Sequence, residues 1–598
     1  MEKLTPSESE LAAEPAVTTQ VVRVLPDVPA LDREFHYEVP PSVARLSVGD
    51  VVRIPLRGRR VRGWVVGLNE EPPDGVRLAS VAKRSGYGPT PELVEFSTWA
   101  AWRWAGPRTA FMRAATPARN VTSLITHPTS ALSYPVALEH GQQSSVTSFN
   151  PVFDAPLTLL RLGPTAERFS LVEAAAQKGH ALILVPSVAQ AASLGRQLTR
   201  RGYQPAVFPN DWARIRGGAP LVLGSRAAAF APMARLDAVV VFDEHDELWQ
   251  EEAAPTWHAR EVVIERARRA NAPVVLVSPT PSLEALDKSV LKKQSRSAER
   301  RSWPKLTVID RRHEDPKHKS LWSSEVVPYL RGATPVVCVL NRLGRARLLS
   351  CKSCGSLATC DQCGSSMEQI EVDELRCRQC GEVRPVVCQG CGSSGFKNLR
   401  VGLSRAHEEL EALIGRQAVE VSAANPLQTP HDHPIYIGTE AVLHQVNRAA
   451  TVIFLDFDQE LLAPRYRASE EALAMLTRAA RLVGRSHPVG NLVVQTRLPD
   501  HDVLAAVRNA DPELWSMPEL KRRQALGFPP AKALAEISGA AAASYIDSLV
   551  DRHRVEILGP NDGRWLIRAE NSVELADYLA SQTRVEGRLR IAVDPARI

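Results

Sequence analysis

Residues 351–391 read CKSCGSLATCDQCGSSMEQIEVDELRCRQCGEVRPVVCQGC and hold eight of the chain's nine cysteines. They form four Cys-x-x-Cys pairs: Cys351/Cys354, Cys360/Cys363, Cys377/Cys380 and Cys388/Cys391. The gaps between pairs are five, thirteen and seven residues. A Cys-x-x-Cys turn points two sulfurs to one side of a tight bend, and two such turns complete a tetrathiolate site for zinc. Gly355, Gly364, Gly381 and Gly392 follow the second cysteine of each pair, where backbone N–H groups turn toward thiolate sulfur and a side chain would crowd them. The reading is two structural zinc ions per chain, with all eight thiolates used and no position open for catalysis. Disulfides, a redox pair and an iron–sulfur cluster are the competing readings. The absence of a secretory leader and the grouping of all pairs in one stretch argue against disulfides; four clustered copies argue against a redox pair. Spacing does not fix which pairs share a metal. The thirteen-residue gap favours a nested set, Cys351, Cys354, Cys388 and Cys391 around one ion and Cys360, Cys363, Cys377 and Cys380 around the other.

The stretch interrupts a pattern of alternating strands and helices. Apolar runs at 335–340, 417–421, 434–437 and 451–454, with helical stretches at 408–414 and 470–483, make one α/β lobe, and the cysteines are inserted after its first strand. Upstream, runs at 157–160, 181–185, 221–223, 238–242 and 274–277 make another. Such alternation predicts parallel sheets with helices on both faces. Cys338 lies in an apolar run and reads as a buried strand residue. The predicted organisation is a disordered tail at 1–20, an N-terminal domain at 21–118 and a linker or much reduced domain at 119–154. A first α/β lobe follows at 155–320, then a second at 321–350 and 398–500 with the two-zinc insertion at 351–397, and a C-terminal α+β domain at 501–598. Residues 288–319 carry eleven Lys/Arg against four Asp/Glu and read as a basic connecting loop.

The 598-residue chain has a net charge of +6, which permits a nucleic-acid partner without requiring one. No run of eighteen apolar residues occurs, so no membrane span is expected and the predicted location is the cytoplasm. Residues 21–67 read as a small β-domain whose hairpin tip is cationic: Arg57, Arg59 and Arg60, flanked by Arg53 and Arg62. With Phe35, His36, Tyr37 and Trp64 nearby, guanidinium groups suit phosphates and aromatic faces suit a stacked base at a single-stranded end. A solvated hairpin over core aromatics is the plainer alternative. A Trp-rich helix pair follows at 91–113.

A parallel-sheet lobe binds nucleotide at the turn after its first strand. Here that turn reads Leu162-Gly163-Pro164-Thr165-Ala166-Glu167-Arg168, and Gly-Lys occurs nowhere in the chain. The phosphate-binding pattern needs a second glycine, a lysine and a hydroxyl, and all three are missing. Pro164 removes an N–H that would face phosphate and Glu167 repels it.

The whole order resembles the bacterial primosomal replication-restart helicase family, primosomal protein N-prime, from about residue 21 onward. The cysteine array carries most of the resemblance, with Gly224-Ser225-Arg226-Ala227-Ala228-Ala229-Phe230-Ala231-Pro232, Glu244-His245-Asp246, Gln250-Glu251-Glu252, His258-Ala259-Arg260, Pro279-Thr280-Pro281-Ser282-Leu283-Glu284, Asn341-Arg342-Leu343-Gly344, Ile437-Gly438-Thr439-Glu440 and Leu526-Gly527-Phe528-Pro529-Pro530 around it. The resemblance implies the nested cysteine pairing, helicase-like lobes at 155–320 and at 321–350 with 398–500, a reduced winged-helix segment at 119–154, and a DNA-binding domain at 21–118 whose module at 21–68 holds the 3′ end of a leading strand. It implies work on stalled or branched DNA forks with primosome proteins, single-strand-binding protein and the machinery that loads the replicative helicase. It also aligns a degenerate nucleotide site: Gly163, Thr165, Asp243, Glu244, His245 and Arg485. Phe242 stands where the family has its magnesium-binding aspartate, Pro488 where it has the γ-phosphate arginine, and His36 where it has an acidic residue. Losing magnesium coordination and phosphate clamping together removes most transition-state stabilisation in phosphoryl transfer. The sequence therefore predicts a fork-binding restart protein with no ATP-driven unwinding and no catalytic residues of its own. An active ATP-dependent 3′-to-5′ helicase with an atypical site, and a zinc-ribbon structural or RNA-associated protein, are the alternatives.

Overall fold

The structure, a computed structural model, describes residues 20–598 apart from 29–30, 44, 72–74, 76, 128–148, 314–319, 342–347, 378, 399–402, 428–432 and 485–489. Residues 1–19 of the expected tail at 1–20, most of the 119–154 segment, the Arg342-Leu343-Gly344 part of its motif and Arg485 through Pro488 lie outside the described residues; Gln20 opens the first strand.

Two parallel sheets form the body. The first runs Val290–Lys293, Leu157–Arg161, Val274–Ser278, Ala238–Phe242, Ala181–Leu184, Leu221–Gly224, Ala206–Val207 across the sheet. The second runs Lys305–Asp310, Asn491–Thr496, Thr451–Phe454, Val336–Val339, Ile435–Gly438, Val419–Val421. Their inner strands are almost wholly apolar, AVVVF at 238–242 and TVIF at 451–454, and buried at every position. That is the composition of strands covered on both faces by helices. Cys338 is fully buried in the second sheet, and burial pushes its thiol well above the ordinary range.

Two sequence boundaries move. The strand Lys305–Asp310 pairs with Asn491–Thr496, so it is the edge of the second lobe's sheet and not part of the first lobe. Residues 288–313 are accordingly not a loop: a strand, the helix Arg296–Ser302 and this second strand join the two sheets at their edges. The helices Asp502–Arg508 and Glu513–Leu526 bury Val503, Leu504, Val507 and Trp515 in the second lobe's core. The four-stranded antiparallel C-terminal sheet begins later than 501, with Ala533–Ser538.

The N-terminal sheet is six-stranded, ordered Ala79–Ser80, Phe35–Val39, Gln20–Pro26, Arg59–Leu68, Val51–Leu56, Lys83–Gly86. The helices Pro91–Arg103 and Arg108–Ala115 anchor it to the rest. Phe111 packs on Phe230 at 5.9 Å, and Phe230 on Trp257 edge-on at 4.9 Å. Trp102 Nε1 donates to Asp577 at 2.9 Å and Thr256 Oγ1 donates to the Val593 carbonyl at 2.8 Å. Helix pair, first lobe and C-terminal sheet thus share one continuous core. Among the described residues no helix is long and apolar enough to cross a membrane.

Candidate metal centre, nucleotide seat and nucleic-acid interface

The four cysteine turns are built alike. In each, the N–H of the glycine after the pair donates to the carbonyl of the first cysteine, at 3.0 Å for Gly355, 2.9 Å for Gly364, 3.0 Å for Gly381 and 2.8 Å for Gly392. These glycines have φ between 72° and 80°, a left-handed turn that a side chain would strain. Two tetrathiolate groups result, with each group's sulfurs within 4.8 Å of one another. Cys351 Sγ lies 3.6 Å from Cys391 Sγ and Cys354 Sγ 3.5 Å from Cys388 Sγ. Cys360 Sγ lies 3.4 Å from Cys380 Sγ and Cys363 Sγ 3.5 Å from Cys377 Sγ. A tetrahedron with Zn–S near 2.3 Å has edges of about 3.8 Å, so each group is close to the size zinc requires. The sulfurs group by the nested pairing, outer pairs together and inner pairs together. Both groups could hold zinc, each with four protein ligands and no fifth position.

The candidate nucleotide seat lies at the C-terminal edge of the first sheet, and its residues are committed to one another. Asp243 follows the strand Ala238–Phe242 in a left-handed conformation, φ 55°. Its carboxylate accepts from Arg168 Nη2 at 3.0 Å and Nη1 at 3.2 Å, and it pairs with Arg481 of the second lobe. Burial alone would raise Asp243, but Arg168 and Arg481 outweigh it and hold the carboxylate well below its usual range. Burial and the adjacent Arg168 pull Arg481 down to about 10, still charged at neutral pH. Arg168 also lies 5.3 Å above the Phe242 ring, so the residue in place of the magnesium aspartate packs against a cation.

The helix Phe169–Gln177 opens where a phosphate would meet free N–H groups. Glu167 takes that place: it accepts from Phe169 N–H and, at 3.2 Å, from Ser170 N–H. A carboxylate already sits on the positive end of the helix. Thr165 Oγ1 donates to the Ser302 carbonyl at 2.8 Å, and a Cβ on Gly163 would collide with Ser302. Glu244 is fully engaged, accepting from Ser282 N–H at 2.8 Å, Ser282 Oγ at 2.7 Å and Arg260 Nη1 at 2.7 Å. His245 shares a 2.7 Å hydrogen bond with Ser278, and burial pushes it down to about 4. Thr165 and Gly163 thus meet Ser302, Glu244 meets Ser282 and Arg260, and Asp243 is joined to the turn through Arg168 and Arg481. What sequence reasoning missed is the pair of arginines between them, Arg168 and Arg481; the only local signal was a cation one residue after Glu167 in a loop stripped of its lysine.

In the N-terminal sheet the tip is a two-residue turn, Arg57 at φ 47° and Gly58 at φ 74°, closed by Leu56 opposite Arg59. These values match the mirror-image turn that hairpin twist favours. Arg57, Arg59 and Arg60 are exposed; Arg53 and Arg62 face each other across the strands and are half-buried. Phe35 and His36 are half-buried on the strand Phe35–Val39. Trp64 and Tyr37 do not offer stacking faces. Trp64 is fully buried among Leu25, Val51, Val94 and Met112, with Nε1 donating to Thr116 Oγ1 at 3.0 Å. Tyr37 is buried and its hydroxyl donates to the Pro55 carbonyl at 3.0 Å. Tyr37 lies in the cluster with Val22, Val39 and Ile54, and Trp64 on the side that the helices Pro91–Arg103 and Arg108–Ala115 cover.

A family model described as the 3′DNA-binding domain (3′BD) of PriA matches residues 23–117. "Replication restart protein PriA" of Bacillus subtilis (strain 168) is 26% identical over 415 residues, covering 63% of this chain and 52% of that protein. "Probable replication restart protein PriA" of Mycobacterium tuberculosis (strain CDC 1551 / Oshkosh) is 28% identical over 655 residues, covering 96% of this chain and 99% of that protein. Over most of its length the chain is similar to PriA replication restart proteins. The match thus spans about half of the Bacillus PriA and nearly all of the Mycobacterium PriA. Among solved structures, S. cerevisiae Dbp5 bound to RNA and ADP BeF3 matches 73% of this chain at 11% identity with a TM-score of 0.34, too slight a likeness to bear on PriA function.

Proposed function

We propose that this chain is a DNA-binding component of replication restart. It recognises stalled or branched forks and helps reload the replicative helicase without ATP-driven unwinding. The observation that carries this reading is the self-satisfied nucleotide seat: Glu167 covers the helix terminus, and Arg168 and Arg481 neutralise Asp243. Phosphoryl transfer needs a positioned triphosphate whose charge is met by metal and cations. An incoming γ-phosphate would have to displace a carboxylate from the helix terminus and strip both guanidinium groups from Asp243.

The match to the 3′DNA-binding domain of PriA supports the fork role, as does the exposed Arg57, Arg59 and Arg60 tip. On this reading the tip pairs with backbone phosphates and Phe35 and His36 line the end-binding surface. The shared core ties the end-binding module to the first lobe, so a bound end is held at a fixed distance from the body. Eight cysteines take two zinc ions, whose role is to fold the insertion, since tetrathiolate binding and folding are coupled. Primosome proteins, the helicase-loading machinery and single-strand-binding protein are the proposed partners.

The test is an isothermal titration of the full, zinc-loaded chain with ATP and magnesium, beside a salt series of binding to forked DNA, plain duplex and RNA. The expected outcome is no saturable ATP binding and a preference for the fork that persists as salt rises. Tight magnesium-dependent ATP binding, weakened by Glu244→Gln, contradicts it; equal binding to all three nucleic acids contradicts the fork role.

A further inference from the structure

The helix Ala468–Gly484 spans about 25 Å at 1.5 Å per residue. Ala472, Leu476, Ala479 and Val483 face the second lobe's core. The opposite side is fastened to the first lobe along its whole length. At the start, Arg467 pairs with Glu284, and Arg523 reaches the same carboxylate at 3.8 Å. Midway, Thr477 Oγ1 lies 3.2 Å from Thr280 Oγ1. Arg478 and Arg481, three residues apart and so on one face, pair with Asp246 at 3.0 Å and with Asp243. Arg481 Nε also donates to the Pro164 carbonyl at 3.2 Å. At the end, Gly484 meets Thr165 so closely that any Cβ would collide with it. The carboxylates and arginines of this row are all less than a fifth exposed.

We infer that this row is a permanent clasp: the two lobes stay closed with no nucleotide between them. Lobe motion in a nucleotide-driven device comes from charges that the nucleotide brings and removes. Here the bridging charges belong to the chain and are satisfied without a ligand. Affinity for DNA then does not vary with nucleotide. This extends the reading above, and the two can fail separately: a chain that fails to hydrolyse ATP could still open and close.

The experiment places a fluorophore pair on the full, zinc-loaded chain at the exposed Gln197 and Glu408. Each is replaced by p-azidophenylalanine so that the cysteines stay untouched, and single-molecule energy transfer is recorded. The expected result is one narrow population, the same with and without magnesium and ADP–beryllium fluoride. Arg478→Ala with Arg481→Ala is expected to open the lobes roughly a hundredfold more often, since breaking buried pairs leaves Asp243 and Asp246 uncompensated. A second, low-transfer population then appears. Thr477→Val with Arg467→Gln, at the middle and start of the helix, gives the same direction and serves if the first variant misfolds. A broad or two-state wild-type distribution, closure driven by nucleotide, or variants indistinguishable from wild type overturns the inference.

Discussion

Asp243→Asn separates the two roles an acidic residue can play in this position. In the structure Asp243 is the counter-ion of two guanidinium groups, with side-chain exposures of 2% for Asp243, 28% for Arg168 and 16% for Arg481. Asparagine keeps the shape and tolerates the left-handed backbone at φ 55°, so the change isolates the charge. Removing one member of a buried ion pair costs about 3–5 kcal/mol; water reaching the partly exposed Arg168 takes up part of that, which leaves about 3 kcal/mol. For a cooperative unit of about 150–250 residues, the size of one lobe, 1 kcal/mol moves Tm by about 2–4 °C, so the drop is about 6–12 °C. Scanning calorimetry on the full chain reads the transition that contains the lobes. Adding Arg168→Met and Arg481→Met to Asp243→Asn should recover much of the loss, because removing a whole buried ion group is often close to neutral. A free magnesium ligand would behave differently, since its loss leaves Tm nearly unchanged. An Asp243→Asn Tm equal to or above wild type would refute the ion-pair assignment.

Further outcomes follow from the other sites. Metal analysis should find about two zinc ions per chain, falling to about one in Cys360→Ser, with loss of the Met367–Gln369, Glu374–Cys377, Val383–Pro385 sheet. His245 titrates at about 4 in the folded chain against 6.5 when unfolded, so its contribution to stability is full above pH 6.5 and is lost as pH falls toward 4. His245→Gln should therefore flatten the acid limb of a Tm-against-pH curve between those values. Charge reversal of Arg57, Arg59 and Arg60 together should weaken binding of forked DNA and lower the salt slope by about one for each phosphate no longer neutralised, read by fluorescence anisotropy. Trp64→Ala should instead lower stability by about 3–5 kcal/mol, because the ring fills the core and not a binding face.

Local patterns carried most of the fold. The cysteine turns were legible because one short motif recurs four times with glycine after each pair, and the parallel lobes because their strands are almost wholly apolar runs. Boundaries were less legible where the chain crosses between units. The strand Lys305–Asp310 looks like a basic loop until its partner Asn491–Thr496, nearly two hundred residues away, is known. The site divided in the same way. The missing lysine of the phosphate turn was evident, but what replaced it was not, since Arg168 meets Asp243 and Arg481 only in three dimensions. Arg478 and Arg481 read as the polar face of an amphipathic helix, and nothing in their spacing separates an interlobe contact from a solvated one. Trp64 beside Arg62 suggested a stacking platform; the two share one face of their strand, but Val94 and Met112 of the helix pair cover the Trp64 ring and Arg62 lies nearer the tip.

The most direct measurement is phosphate release from ATP by the purified, zinc-loaded chain with magnesium and forked DNA. The expected rate is that of background, unchanged by the fork. Fork-stimulated hydrolysis that Asp243→Asn abolishes would contradict a nucleotide seat filled by the chain's own charges.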